Sequence, residues 1–103
     1  MRVIRFSKTF IGQLNALLQQ GVAPFGPRLV AEKRDLIYTH IADFLVHYPA
    51  AKRIHPRLGL RTYAVRKTPF VVVYDFDDAE LRLHFVVHKH ASLDDLDPTS
   101  AEW

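Results

Sequence analysis

The stretch of residues 60–90, LRTYAVRKTPFVVVYDFDDAELRLHFVVHKH, restricts the fold of this chain more than any other. It contains three segments, at 60–67, 70–76 and 81–88, that are rich in β-branched, aromatic and alternating apolar residues, as strands are. Thr68-Pro69 separates the first two segments, and residues 77–80 separate the last two. Because connections this short cannot form parallel crossovers, the three strands are predicted to form an antiparallel meander.

The first half of the chain predicts one strand and two helices. Apolar and polar residues alternate over residues 2–7, as in a short strand. A helix is predicted over residues 8–20, with Ser7 or Thr9 as its N-cap and Gly21 as its C-terminal glycine. A second helix is predicted over residues 29–47, since Pro49 ends it. The apolar stripes are formed by Phe10, Leu14, Leu17 and Leu18 in the first helix and by Val30, Ile37, Ile41, Phe44, Leu45 and Tyr48 in the second.

These elements give the order β-α-α-β-β-β in a chain of 103 residues, a length that accommodates one hydrophobic core. We therefore predict an α+β fold in which a helical hairpin packs on a mainly antiparallel four-stranded sheet. A single domain is expected to span residues 1–103, with residues 91–103 as an acidic and mobile tail.

The composition excludes several classes of protein. The chain has no cysteine, which excludes disulfides and thiolate metal sites. No apolar run approaches the ~20 residues of a membrane span, and the first residues lack the pattern of a secretory signal. We expect a cytoplasmic protein without a membrane partner.

The last predicted strand has two chemically different faces. Leu81, Leu83, Phe85 and Val87 are predicted to face the core, and the residues that alternate with them to face away. We therefore expect a concave, basic sheet face opposite the helices, edged by Arg66, His84 and His88.

Basic residues are concentrated between positions 52 and 67, where no acidic residue occurs. Such a run is typical of a surface that binds a polyanion or an acidic partner, and equally of a solvated loop in a basic protein. The candidate residues for binding a target or a nucleic acid are Arg53, Arg57, Arg61, Arg66, Lys67 and His84.

The last predicted strand ends in the cluster His88-Lys89-His90. Imidazole titrates near neutral pH, so His88 and His90 are the best acid–base candidates, with Lys89 and Arg66 as accompanying cations. The alternative is a pair of solvent-exposed polar residues that end a strand. No carboxylate or cysteine completes a ligand set with His84, His88 and His90, so no metal site is predicted.

Three segments, GLRTYAV at 59–65, TPFVVVYDFDD at 68–78 and VVHKH at 86–90, together with the order of the elements, resemble the RelE/ParE superfamily, the toxins of bacterial type II toxin–antitoxin modules. The resemblance covers nearly the whole chain in element order and is specific over about residues 58–90. It implies a growth-inhibiting toxin, similar to ParE-like plasmid stabilisation proteins, that uses no cofactor. It also implies a cognate antitoxin, a small and partly disordered protein that lies across the groove beside the helical hairpin.

Members of this family that cleave mRNA on the ribosome usually place an Arg on the central strand, two or three residues before its Tyr. Val71 or Val72 occupies that place here. ParE-like members inhibit DNA gyrase by binding and need no catalytic constellation of cations and acid–base groups. The resemblance therefore favours a gyrase-binding toxin. One alternative is a ribosome-dependent mRNA endonuclease that uses His88, His90, Lys89, Arg66 and Arg61, and another is a non-toxic binding or regulatory relative.

Residues 91–103 are acidic and also contain Leu93, Leu96 and Trp103. Because their charge is opposite to that of the expected basic sheet face, we hypothesise that they fold over this face and compete with a partner there. The alternative is a frayed terminus.

Overall fold

The computed structural model of the chain describes residues 2–103 and has the predicted α+β architecture. The order β-α-α-β-β-β is confirmed. The helices and strands are β1 Val3–Phe6, α1 Lys8–Gly21, α2 Pro27–His40, β2 Arg61–Ala64, β3 Phe70–Phe76 and β4 Glu80–His88. Shorter helical turns lie at Ala23–Phe25, Ile41–Leu45, Pro49–Ala51 and Leu93–Asp95.

The four strands form one mixed sheet in the order β1-β4-β3-β2. β1 runs parallel to β4, whereas β3 is antiparallel to both β4 and β2. The prediction of a mainly antiparallel four-stranded sheet is therefore confirmed. The helical hairpin together with β2 and β3 forms the long connection between the parallel neighbours β1 and β4.

The second helix begins earlier and ends differently than predicted. It begins at Pro27, since proline is favoured in the first turn, where its missing N–H costs nothing. Regular α-helical geometry ends at His40, and a π-helical turn, Ile41–Leu45, follows. The amide of Val46 donates to the carbonyl oxygen of Ile41 at 3.1 Å, which closes this wider turn.

Gly21 ends α1 as predicted, one residue beyond the predicted range of 8–20. Gly21 is the last residue of the helix and has no positive φ. Val22 continues in the right-handed region, and its N–H donates to the carbonyl of Leu18 at 3.0 Å. The left-handed glycine of the hairpin is Gly26, with φ 108°, where the chain turns into α2.

The predicted strand over 60–67 is also too long. After Ala64 the chain turns, and the hydroxyl of Thr68 donates to the carbonyl of Val65 at 2.9 Å. Lys67 adopts a left-handed φ of 63° within this turn. A residue in that conformation cannot continue a strand, which is why β2 ends early.

The helices cover one face of the sheet. α1 buries Phe10, Leu14 and Leu18 there, and the second helix with its π-helical turn buries Ile37, Ile41 and Leu45. Each buried side chain of this size contributes about 1.5–3 kcal/mol through removal of apolar surface from water. The sheet contributes Tyr63, Phe70, Val72, Tyr74, Leu81, Leu83 and Val86 to the same core, and Val65, directly after β2, joins them.

Tyr48 was predicted to belong to the apolar stripe of the second helix, and this prediction is wrong. It lies beyond the π-helical turn and is 61% exposed. Its ring instead lies beside Phe44, with the two centroids 5.6 Å apart.

A β-bulge at His84 divides β4 into two parts. Val73 of β3 is opposite Phe85, and Tyr74 is opposite Leu83, so His84 is the extra residue without a partner on β3. An extra residue on one strand changes the side to which the following residues point.

The bulge makes the predicted alternation over residues 81–87 wrong beyond position 84. Leu83 packs in the core beneath the helices, but Phe85 packs on the opposite face of the sheet. Val86, predicted to face away from the core, is buried beneath the helices. Each face of the sheet therefore receives an apolar residue directly after the bulge.

The tail, residues 91–103, lies on the sheet face opposite the helices. Its last residues are held by the start of α1, because the N–H of Glu102 donates to Oγ1 of Thr9 at 2.9 Å. Many of its contacts with this face are apolar, and its acidic side chains form no ion pair with the sheet among residues 2–103, whereas the sequence suggested attraction between charges. Leu93, Leu96 and Ala101 of the tail pack against a cluster of Leu58, Leu60, Val73 and Phe85, called here the tail-side cluster.

Ser7 joins β1, α1 and the bulge. Its N–H donates to the carbonyl of Leu83 at 3.0 Å, which ends the strand pairing. Its hydroxyl accepts from the N–H of Phe10 at 2.8 Å, which confirms Ser7 as the N-cap of α1. The same hydroxyl donates to the carbonyl of His84 at 2.7 Å.

Replacing Ser7, which is fully buried, should destabilise the fold. Ser7→Ala removes the cap and leaves the His84 carbonyl without its donor, so we expect a loss of about 1–3 kcal/mol in the free energy of unfolding. Urea denaturation measures the loss. Ser92→Ala is the matched control, because Ser92 precedes a helical turn without a side-chain cap bond, and should stay within about 0.5 kcal/mol of the parent. Equal losses in the two variants would contradict this role for Ser7.

Candidate functional site

The sheet face opposite the helices is not the open, basic surface predicted from the sequence. The tail covers part of it, and Arg82 on this face is surrounded by carboxylates. Its guanidinium donates to Asp75 at 2.9 and 3.0 Å, to Asp77 at 2.8 Å and to Glu80 at 2.9 Å. The cluster therefore carries more negative than positive charge, and the predicted basic face is wrong.

The carboxylates of this cluster stay ionised well below neutral pH. Burial raises the pKa of Asp75, but hydrogen bonds from Arg82 and His84 outweigh burial and lower it overall. The hydrogen bond from Arg82 and two backbone N–H groups lower the pKa of Asp77 to about 2. The same carboxylates raise the pKa of Arg82. The cluster is thus a stable ionic network rather than a site that exchanges protons near pH 7.

His84 lies under the tail and not on a free binding surface. Its Nε2 is 2.7 Å from Oδ1 of Asp75, and its buried Nδ1 has no hydrogen-bond partner among residues 2–103. The ring of Trp103 lies edge-on to the imidazole, with the centroids 4.9 Å apart. The guanidinium of Arg5 lies 5.0 Å from the centroid of the indole ring.

Two of the candidate binding arginines have intramolecular partners. Arg57 donates to the carbonyl of Leu96 at 3.2 Å and so fastens the tail. Arg61 donates to the carbonyl of Lys52, and its guanidinium lies 5.4 Å from the ring centroid of Phe76. These contacts organise the loop before β2. Arg53, also a candidate, is exposed.

His88, Lys89 and His90 lie at the end of β4, beside α1. The N–H of His90 donates to Nδ1 of His88 at 3.2 Å, and the two rings lie 5.2 Å apart. Lys89 is exposed, and its backbone N–H donates to the carbonyl of Pro69 at 2.7 Å. His88 lines a depression with Leu17, Gln20, Gly21, Val22, Pro69 and Phe70.

Arg66 and Lys67 lie beside α2, in different surroundings from His88. Arg66 lines a depression with His40, Phe44, Lys52, Tyr63 and Ala64, and a smaller neighbouring one with Leu36, His40 and Lys67. The structure thus places the candidate catalytic residues His88 and Arg66 in separate depressions.

The sequence did not single out His40, Phe44 or Tyr63 as site residues. His40 Nδ1 lies 3.0 Å from the hydroxyl of Tyr63, although the two residues are 23 positions apart in the chain. Both looked like ordinary positions of a helix and a strand. The basic run that contains Lys52 was the one available signal for this region.

Val72, on the central strand β3, serves packing. Val72 is fully buried in the core beneath the helices, and Val71 is half-buried. An arginine at position 72 would place a charge in an apolar core, at a cost of several kcal/mol.

None of the helices within residues 2–103 has both the length and the apolar character needed to cross a membrane. Within the same residues, no group of three or more acidic or histidine side chains is arranged to hold a metal ion.

Replacing Arg82 should produce a stability loss that depends on pH. Arg82→Gln is expected to lower the free energy of unfolding by on the order of 1 kcal/mol at neutral pH, since Asp75, Asp77 and Glu80 lose their shared cation. The folded-state pKa values of these carboxyls lie below their unfolded values. The ionised carboxyls therefore contribute to the free energy of unfolding above about pH 4. This contribution is lost as the pH falls towards the folded pKa of Asp77, about 2.

Urea denaturation between about pH 7 and pH 2 tests this dependence. Arg28→Gln is the control, because the Arg28 side chain is 94% exposed and its one ion pair within residues 2–103 is with Glu32, at 3.6 Å. It should differ little from the parent at any pH. A loss in Arg82→Gln that stays constant down to about pH 2 would contradict the proposed network.

Comparison with known proteins supports the fold. The chain is similar to a chain of the solved structure described as "Chromosomal ParDE TA system from P. aeruginosa", with a TM-score of 0.73 and 18% sequence identity. The match covers 85% of this chain and 96% of that chain. No protein-family model matches the sequence, and no curated protein matches it either. At this identity the likeness shows the fold: a helical hairpin on a mixed four-stranded sheet, as in ParE-like proteins.

Proposed function

We propose that this chain is the toxin of a bacterial type II toxin–antitoxin module, acting in the cytoplasm by binding an essential target. The likeness to a chain of a ParDE system over 96% of that chain carries this proposal. The sequence segments at 59–65, 68–78 and 86–90 point to the same family. Fold alone does not determine function, so the sequence segments are needed beside the structural likeness.

DNA gyrase is the proposed target, by analogy with ParE-like toxins. The position where mRNA-cleaving relatives carry an arginine is filled by valine, and Val72 is buried in the core. His88 and Arg66, which an mRNA endonuclease would use together, line different depressions. A toxin that acts by binding needs no such assembly, which favours inhibition over catalysis.

The groove along α1 is the proposed surface for the antitoxin. β1 pairs with β4 only over residues 80–83, so the outer edge of residues 84–88 has no strand beside it in the described sheet. There the N–H of Val86 is satisfied by Oε1 of Gln13 at 3.0 Å. Two adjoining depressions of about 380 and 290 Å³ share Leu17, Gln20 and His88. An amphipathic or extended segment of a small, partly disordered partner would cover this apolar surface.

Tightly regulated expression of the chain alone in a bacterial host should arrest growth. We expect altered plasmid supercoiling and intact mRNA in the arrested cells, because the proposed target is gyrase. Co-expression of the cognate antitoxin, sought as a small neighbouring reading frame, should restore growth. Normal growth with soluble chain present would overturn the toxin proposal in that host.

His88→Gln distinguishes binding from catalysis in the same assay. A gyrase binder should retain growth arrest, because a neutral side chain of similar size replaces a partly exposed one. An mRNA endonuclease that uses this imidazole should lose on the order of 10²–10⁴ in cleavage rate. Loss of arrest together with loss of mRNA cleavage would replace the gyrase proposal with the endonuclease alternative.

The tail is proposed to compete with the partner of the sheet face that it covers. Truncation after His90 removes Leu93, Leu96 and Ala101 from the tail-side cluster. We expect a lower concentration of the truncated chain to inhibit purified gyrase by half in a supercoiling assay. Leu96→Ser, which loosens the tail in the full chain, serves as a second variant if the truncated chain does not fold. Unchanged inhibition by a folded variant would remove the idea.

A further inference from the structure

We propose that the depression between the second helix and β2 binds a nucleotide unit, that is, a phosphate attached to an aromatic base. Its volume is about 410 Å³, within the range of about 300–1,000 Å³ typical of ligand sites. Nucleotide binding at this site is a property separate from the proposed toxin function, and it can be tested whether or not the chain arrests growth. It is lined by His40, Phe44, Lys52, Tyr63, Ala64 and Arg66.

Aromatic rings form one wall of the depression. The ring of Phe44 lies 5.4 Å from that of Tyr63 and 5.6 Å from that of Tyr48, measured between centroids. The π-helical turn leaves Phe44 half-buried while its neighbour Leu45 is fully buried. Tyr48 extends the wall into solvent. Tyr63 itself is only 6% exposed, so Phe44 and Tyr48 supply the surface that can stack on a nucleic-acid base, at about 1–3 kcal/mol per base.

Cations surround this aromatic wall. Nζ of Lys52 lies 5.1 Å from the ring centroid of Tyr63 and 6.0 Å from that of Phe44. Arg66 and Lys67 are exposed at the rim. Within residues 2–103, none of these three cations forms an ion pair, whereas Arg82 contacts three carboxylates. An anionic ligand would supply the missing partner.

The hydroxyl of Tyr63 gives the depression a fixed polar group. His40 Nδ1 lies 3.0 Å from it and orients it. Burial raises the pKa of Tyr63 against the opposing charge of Arg66, so the hydroxyl stays protonated at neutral pH. It is therefore available to hydrogen-bond a base or a phosphate oxygen.

The combination of these features favours a nucleotide over an acidic peptide. Carboxylates would satisfy the cations but would leave the aromatic wall without a stacking partner. Interleaved cations and aromatic rings are how proteins hold single-stranded nucleic acids without base-specific contacts. A free mononucleotide and one nucleotide of a single strand present the same chemistry to this site.

Fluorescence anisotropy with a fluorescein-labelled thymidine octanucleotide, at about 50 mM salt, tests the proposal. We expect binding that unlabelled dTMP reverses and that inorganic phosphate reverses far less well. Displacement of the octanucleotide by dTMP would assign the site to any nucleotide, and octanucleotide binding that dTMP does not reverse would assign it to a single strand. Absence of octanucleotide binding, or competition by phosphate equal to that by dTMP, would overturn the proposal. Displacement by an oligoglutamate that is stronger than displacement by dTMP of the same charge would assign the surface to an acidic peptide, and would also overturn the proposal.

Variants locate the binding. Arg66→Gln and Tyr48→Leu alter exposed side chains, so both should fold, which thermal unfolding checks. Each is expected to weaken octanucleotide binding about tenfold, through loss of a phosphate contact or of a stacking surface. Arg28→Gln removes the same charge from a remote position on α2 and should stay within about twofold of the parent. An equal loss in Arg28→Gln and Arg66→Gln would indicate diffuse electrostatic attraction and overturn the site.

Discussion

The hydrogen bonds of Ser7 to the bulged part of β4 determine how the rest of this structure is arranged. One hydroxyl starts α1 through the N–H of Phe10 and holds the carbonyl of His84 at the bulge. The bulge turns Phe85 towards the tail and Val86 towards the helices. One extra residue therefore allows β4 to support a large core on one face and a small one on the other. Without it, regular alternation would place Phe85 on the helix side and Val86 on the tail side.

The charges follow from the same arrangement. Asp75, Asp77 and Glu80 lie around the β3–β4 hairpin and neutralise Arg82, so this part of the sheet offers little to an anionic target. The cations Arg66 and Lys67 are on the β2–β3 turn, and Lys89 follows the end of β4. This segregation explains why a chain with a modest net charge of +3 still has a strongly basic region.

Local patterns in the sequence were enough to predict much of the fold. The run of valines defined β3 at its observed bounds, and Ser7 before a helical stripe predicted the cap of α1. The bulge was not predictable, because alternation over residues 81–87 is equally consistent with a regular strand. In such cases tertiary packing decides between local conformations of similar energy.

The candidate site was less predictable, because it depends on contacts between distant parts of the chain. The basic run at 52–67 indicated Lys52 and Arg66. No pattern in the sequence predicts that His40 and Tyr63 lie within hydrogen-bond distance of each other. Equally, Arg57 and Arg61 looked like free surface charges until the structure gave them backbone carbonyls as partners. Composition shows how many cations a chain has, and only the fold shows which of them are already satisfied.

Trp103 is the single tryptophan of the chain, and it lies at the end of the tail between His84 and Arg5. Its indole packs against His84 and Arg5 on the sheet face opposite the helices, so its emission reports whether the tail lies on that face. The protein thus contains an intrinsic optical probe for one of its two sheet faces. A partner that lifts the tail would change the fluorescence of the unlabelled chain, whereas a ligand bound beside α2 would leave it unaltered.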